Sequence, residues 1–228
     1  MSEYSKETKL CNFHNQKLHE KLGVIIQDAE EKKDKALKIF YFIRDTIDFN
    51  ATLNIYIKAT KTLKSKTVDY CNKINLHAAL LQAEDIPVRL HYVEIKKEIL
   101  EFILPKFIYR HIPNPIGHFY CECFINEKWI ACEALYDKEL YEGMINTGII
   151  TREQIPTIDW DGEHDLILLN NWIVGEKKFY QSFDELIEKE IKEAGMPPKI
   201  FCKLFDWIAR LGSRHVTRKI RNSASTLV

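Results

Sequence analysis

Three residues of the types that perform acyl transfer stand along the chain in the order thiol, imidazole, carboxylate: Cys71, His118 and Glu133. A cysteine thiolate attacks a carbonyl, a histidine exchanges the proton, and a carboxylate fixes the tautomer and orientation of the imidazole. Cys71 lies in "KTVDYCNKINLHAALLQAEDIPVR", residues 66–89, where a polar approach gives way to Leu76, Ala79, Leu80 and Ala83 at helical spacing. The cysteine therefore falls at a helix start, with Asp69 or Asn72 available as cap. Unpaired N–H groups and the positive end of the helix dipole favour a thiolate there, and a nearby imidazolium would lower the thiol pKa further. Pro87 ends the helix, because its ring removes a donor and disfavours helical backbone at Ile86.

The histidine and the carboxylate belong to a β-hairpin pattern. "HFYCECFI" (118–125) and "WIACEAL" (129–135) alternate in polarity about a turn at Asn126-Glu127-Lys128. One face would carry His118, Tyr120, Glu122, Trp129 and Glu133, so that histidine and glutamate sit on adjacent strands, with Tyr120 and Glu122 as candidate substrate-binding residues. The other face, with Phe119, Cys121, Cys123, Ile125, Ile130 and Cys132, suits a core. The C-x-C spacing has no second matching pair, so packing is favoured over a thiolate metal site. Asp137 is a reserve partner for the histidine, and His77 and His91 read as helix-surface or sheet-rim residues.

These residues need a frame to position them. Ala36, Ile39, Phe40, Ile43 and Ile47 form one apolar stripe, which predicts a helix over 15–47. Residues 51–70 read as a polar connection with local helical character, and "VRLHYVEI" (88–95) as a strand. Residues 96–115 hold three prolines and read as an insertion or covering flap. Beyond 150 the pattern predicts a turn and buried segment over 159–173 and helices near 181–194 and 198–211, the latter amphipathic through Ile200, Phe201, Leu204, Phe205, Ile208 and Leu211. The expected organisation is a core over 1–150 and a mostly helical extension, 151–228, packed on it.

Composition excludes several classes. The chain of 228 residues is 46% hydrophobic and has 33 basic against 33 acidic side chains, so it lacks the basic excess that binds nucleic acid non-specifically. No segment approaches the roughly 20 apolar residues that span a bilayer, and the first residues lack a signal-peptide core. Six dispersed cysteines do not form the dense pattern of a disulfide-stapled domain, and the expected location is the reducing cytoplasm. A basic stretch near the carboxyl end (Lys203, Arg210, Arg214, Arg218, Lys219, Arg221) could meet an acidic partner or membrane surface, though a helix docked on the core is the simpler reading.

The succession "KALKIFYFIRDTIDF", "TLKSKTVDYCNKINLHAALLQAEDIPVRL" and "GHFYCECFINEKWIACEA" resembles the transglutaminase-like superfamily of papain-type thiol enzymes over about residues 35–137. The resemblance implies an α+β papain-like fold, with a nucleophile helix on an antiparallel sheet. It also implies nucleophile Cys71, base His118 and third member Glu133, where the family usually has aspartate. The activity it implies is thioester-forming acyl transfer on a protein or peptide substrate, hydrolysis before cross-linking, with neither metal nor organic cofactor. A catalytically silent interaction module or a docked scaffold is the alternative.

Overall fold

The computed structural model describes residues 4, 6–50, 56–175, 178–191 and 199–224, with side chains throughout except at 191 and 199–211. The apolar stripe expected over 198–211 therefore lies outside the described side chains.

The stripe expected over 15–47 is divided between two helices, α1 (Gln16–Ile25) and α2 (Lys32–Thr46). The chain turns between them with Asp28 in the left-handed region at φ 64°, a conformation a short polar side chain tolerates. Ala36, Ile39, Phe40 and Ile43 of α2 are fully buried, as their spacing requires. A short strand β1 (Asp48–Phe49) pairs in parallel with β2 (Thr67–Val68), and one turn of helix, α3 (Ala59–Thr62), lies between them. Strand β2 leads into α4 (Tyr70–Gln82), the central helix.

The expectation for α4 is one buried stripe, but burial encircles it from Cys71 to Gln82. Two of its buried amides are hydrogen-bonded to segments packed around the helix. Asn75 Nδ2 donates to the Leu10 and Ile57 carbonyls at 3.1 and 3.2 Å. Gln82 accepts from the Cys11 thiol at 3.1 Å and donates to the Tyr4 carbonyl. Pairing of this kind offsets the desolvation of the Gln82 amide and of Asn75 Nδ2, while Asn75 Oδ1 is buried without a hydrogen-bond partner among the described residues.

After Pro87 the chain enters β3 (Val88–Ile95), as its β-branched sequence predicts. The flap over 96–115 contains a 3₁₀ turn (Lys97–Leu100) and α5 (Lys106–Tyr109). Then β4 (Ile116–Ile125) and β5 (Lys128–Ala131) form the hairpin. Pairing of Ile125 with Lys128 leaves a two-residue turn, Asn126-Glu127, with both residues at positive φ, the geometry that follows strand twist. Helix α6 (Lys138–Asn146), a 3₁₀ turn (Asn170–Trp172), β6 (Lys178–Tyr180), α7 (Phe183–Leu186) with a π turn (Ile187–Ile191), and α8 (Lys199–Ala224) complete the elements of the described residues. The antiparallel sheet runs β5-β4-β3-β6, so a strand from beyond residue 150 pairs with β3. Among the described residues no helix is long and apolar enough to cross a membrane.

Candidate functional site

Strand β4 delivers His118 to its position through a close packing contact. Gly117 precedes it, and a Cβ there would lie 2.4 Å from the Tyr92 hydroxyl, so glycine lets the Tyr92 ring cross the strand end. Cross-strand pairing sets Val93 opposite His118. The imidazole and the Glu133 carboxylate are both buried, with His118 Nε2 2.7 Å from Glu133 Oε1. The second carboxylate oxygen accepts the Leu168 backbone N–H at 2.6 Å. That segment is held to the hairpin by the Glu133 N–H, which donates to the Leu166 carbonyl at 3.1 Å. A carboxylate fixed from two sides holds the imidazole in one orientation and leaves Nδ1 as the other ring nitrogen.

Cys71 occupies the first turn of α4, with Asp69 as cap; Asp69 Oδ1 accepts the Asn72 N–H at 3.0 Å. The sequence leads to the expectation of a thiol shifted toward the anion. In the fold the shift runs the other way: burial, then the Asp69 carboxylate, push the Cys71 pKa well above its ordinary value, against the smaller opposing pull of the Tyr70 hydroxyl and the Cys71 backbone N–H. No hydrogen bond joins Cys71 to His118 among the described residues. Tyr70 links them indirectly: its half-buried ring stacks on the His118 ring with centroids 5.6 Å apart and packs on Phe119 at 5.2 Å.

Tyr120 and Glu122 belong to a buried cluster that adjoins the candidate site, the Tyr120 ring centroid lying 6.4 Å from that of His118. Glu122 Oε1 lies 2.6 Å from His91 Nδ1, and its Oε2 accepts from Arg89 Nε at 2.6 Å. The Tyr120 hydroxyl is 3.1 Å from His91 Nδ1. Burial alone would raise the Glu122 pKa, but hydrogen bonds from His91 and Arg89 outweigh it and hold the carboxyl below its ordinary range. Tyr120 and Glu122 are not among the residues lining the cavity next to His118. His77 and His91, expected at a surface or rim, are both buried. Asp137 does not serve as a reserve partner to the histidine: it caps α6 and takes a two-pronged ion pair from Arg221, at 2.8 and 2.5 Å. Cys121, Cys123 and Cys132 are buried free thiols, and the described residues contain no cluster of three or more His, Cys, Asp or Glu able to hold a metal.

Three contributors escape a reading of side-chain types. The Leu168 N–H is a backbone donor with no sequence signature. Tyr70 is marked only by its position next to the cysteine. Lys73 is fully buried, donating to the Leu135 and Arg44 carbonyls at 3.1 and 3.3 Å, and desolvation lowers its pKa to about 7.

Strand β5 ends at Ala131, shorter than the 129–135 its pattern predicts, so His118 stands on β4 and Glu133 two residues beyond β5. A cysteine on the first turn of a helix, set against an antiparallel sheet whose hairpin holds a histidine and leads into its carboxylate partner, is the coarse plan of the papain-like α+β thiol enzymes. The family model of the transglutaminase-like superfamily matches residues 21–134, half of the chain, and the chain belongs to that superfamily, a family of cysteine-type enzymes. A solved structure of a proposed cysteine protease from Cytophaga hutchinsonii is similar at 19% identity with a TM-score of 0.45, covering 58% of this chain. The chain spans 40% of the length of that protein. No curated protein matches the chain significantly.

Proposed function

We propose that the chain is a cysteine-dependent acyl-transfer enzyme that hydrolyses peptide or carboxamide bonds of a protein or peptide substrate. The observation that carries this reading is the buried His118–Glu133 pair, whose carboxylate is anchored by the Leu168 N–H. In the proposed cycle the Cys71 thiol gives its proton to His118 Nδ1, and sulfur attacks the carbonyl carbon. The backbone N–H of Cys71 helps to stabilise the oxyanion, a donation worth roughly 2.7–4 kcal/mol in comparable sites. The imidazolium then protonates the leaving amine as the C–N bond breaks. Water, giving a proton to His118, attacks the thioester, and sulfur departs with that proton. Residues 151–228 act as an extension that completes the site through Leu168, and a reducing cytoplasm would keep the cysteines as thiols.

One observation favours the second reading, a catalytically silent module: the thiol is buried and held neutral. Incubation with a library of activated peptide esters, followed by peptide mapping by mass spectrometry, separates the two. The enzyme reading expects an acyl adduct on Cys71 that forms more slowly in His118→Ala and disappears in Cys71→Ala. Absence of any Cys71 adduct in the folded wild-type protein supports the silent module.

A further inference from the structure

A cavity of about 220 Å³ lies beside the candidate site, bounded on one side by the His118 imidazole and the Tyr70 ring. Its remaining wall comes from separate parts of the chain. Ile99 and Leu100 come from the 3₁₀ turn of the flap, Ile116 from the start of β4, and Leu169 from the residue after the one that anchors Glu133. None of the lining residues carries a carboxylate, an ammonium or a guanidinium. A wider recess of about 680 Å³ has a charged lining that includes Asp45, Asp48, Glu139 and Glu142 with Lys66 and Lys138, and it touches none of Cys71, His118 and Glu133. The space next to the imidazole is thus the uncharged one.

The lining is hydrocarbon apart from Tyr70, Tyr136 and His118, and with no charged side chain it cannot compensate the desolvation of a charged substrate group. It does favour hydrocarbon, by about fourfold in affinity for each methylene removed from water. At roughly 30 Å³ for each water-sized unit, 220 Å³ accommodates about seven heavy atoms, the size of a branched aliphatic or benzyl group.

We propose that this cavity receives the acyl-side group of the substrate and selects an uncharged hydrocarbon chain of up to about seven heavy atoms, so that apolar acyl donors are preferred over glutamine, aspartate or lysine side chains. The inference rests on the acyl-transfer reading for the role of the bound group, but binding can be measured without turnover. Full-length Cys71→Ala is titrated by NMR with butyramide, hexanamide, phenylacetamide, whose benzyl group of about seven heavy atoms should also bind saturably, and the anionic control succinamate. The expected result is affinity rising about fourfold per methylene from butyramide to hexanamide, with shifts at the His118 ring and no saturable binding of succinamate. Leu100→Glu, at a half-buried position on the flap, should weaken hexanamide at least tenfold; Leu100→Gln, read in parallel, guards against a folding defect. Binding that is indifferent to chain length, equal for succinamate, or unchanged by both Leu100 variants overturns the inference. Wild-type protein that binds hexanamide as expected but forms no acyl adduct counts against the proposed catalysis and leaves the cavity's selectivity standing.

Discussion

At Cys71 two opposed effects meet on one sulfur. The helix start favours an anion, yet burial and the Asp69 carboxylate dominate and keep the thiol protonated. Asp69→Asn preserves an oxygen able to cap the Asn72 N–H while deleting the charge. The pH midpoint of Cys71 alkylation should therefore fall, measured by mass-resolved iodoacetamide labelling; an unmoved midpoint would show that the carboxylate does not set the thiol's state. Glu133→Gln keeps the size of the group but replaces an acceptor of the imidazole proton with an amide. Acylation of Cys71 by an activated ester should drop by about 10⁴-fold, as when a triad loses its acidic member, and a loss below tenfold would remove Glu133 from the proposed role. The identities of these residues are legible in sequence because thiol, imidazole and carboxylate are distinctive and fall in order. The neutral state of Cys71 is not legible, since the charge on a cap matters to a thiol only to the extent that the fold removes water from both.

At the scale of elements, the packing of α6 on α8 depends on one missing side chain. A Cβ on Gly143 would stand 2.0 Å from the Ile220 carbonyl oxygen, and backbone cannot swing aside as a flexible side chain can. Gly143→Ala should destabilise the protein by about 1–3 kcal/mol, the usual cost of overpacking. Urea denaturation gives the value, and a change under about 0.5 kcal/mol would mean that the helices part freely. Strand β3 and the hairpin are legible because alternation and a proline stop are local signals. The split between α1 and α2 is not, since one continuous stripe suits two helices that fold back onto a common core. The three residues of β6 carry too short a pattern to declare themselves; pairing with β3 defines them. In α4, Asn72, Lys73, Asn75 and His77 are polar residues that read as solvated, and helix α2 together with the loops packed around α4 buries them, as in the contacts of Lys73 with the Arg44 carbonyl and of His77 with Phe40.

At the scale of the whole molecule, buried charge joins distant parts of the chain. Arg221 of α8 pairs with Asp137 at the start of α6 and donates to the Phe49 carbonyl at 2.9 Å, while Lys73 of α4 holds the Leu135 carbonyl that follows the hairpin. Net charge is zero, so uniform self-repulsion contributes little to pH dependence and single buried groups become visible. Lys73 titrates at about 7 in the fold, against 10.5 as its ordinary value. Between those values the unfolded chain binds a proton that the folded chain has released, so raising the pH favours folding; below about 7 both states are protonated and the fold carries the full penalty of a buried ammonium. The slope from this one group is at most about 1.4 kcal/mol per pH unit. Above about pH 8.5 the buried cysteines act in the opposite sense, because Cys71, Cys121 and Cys132 have pKa values raised above the ordinary 9.0 and retain protons that the unfolded chain loses. Urea unfolding at about pH 7 and about pH 8.5 is therefore the informative comparison. Wild-type protein should gain stability relative to Lys73→Met across that interval, whatever the absolute stability of the variant, since the cysteines are common to both. Parallel pH profiles for the two proteins would mean that Lys73 keeps its proton in the folded interior.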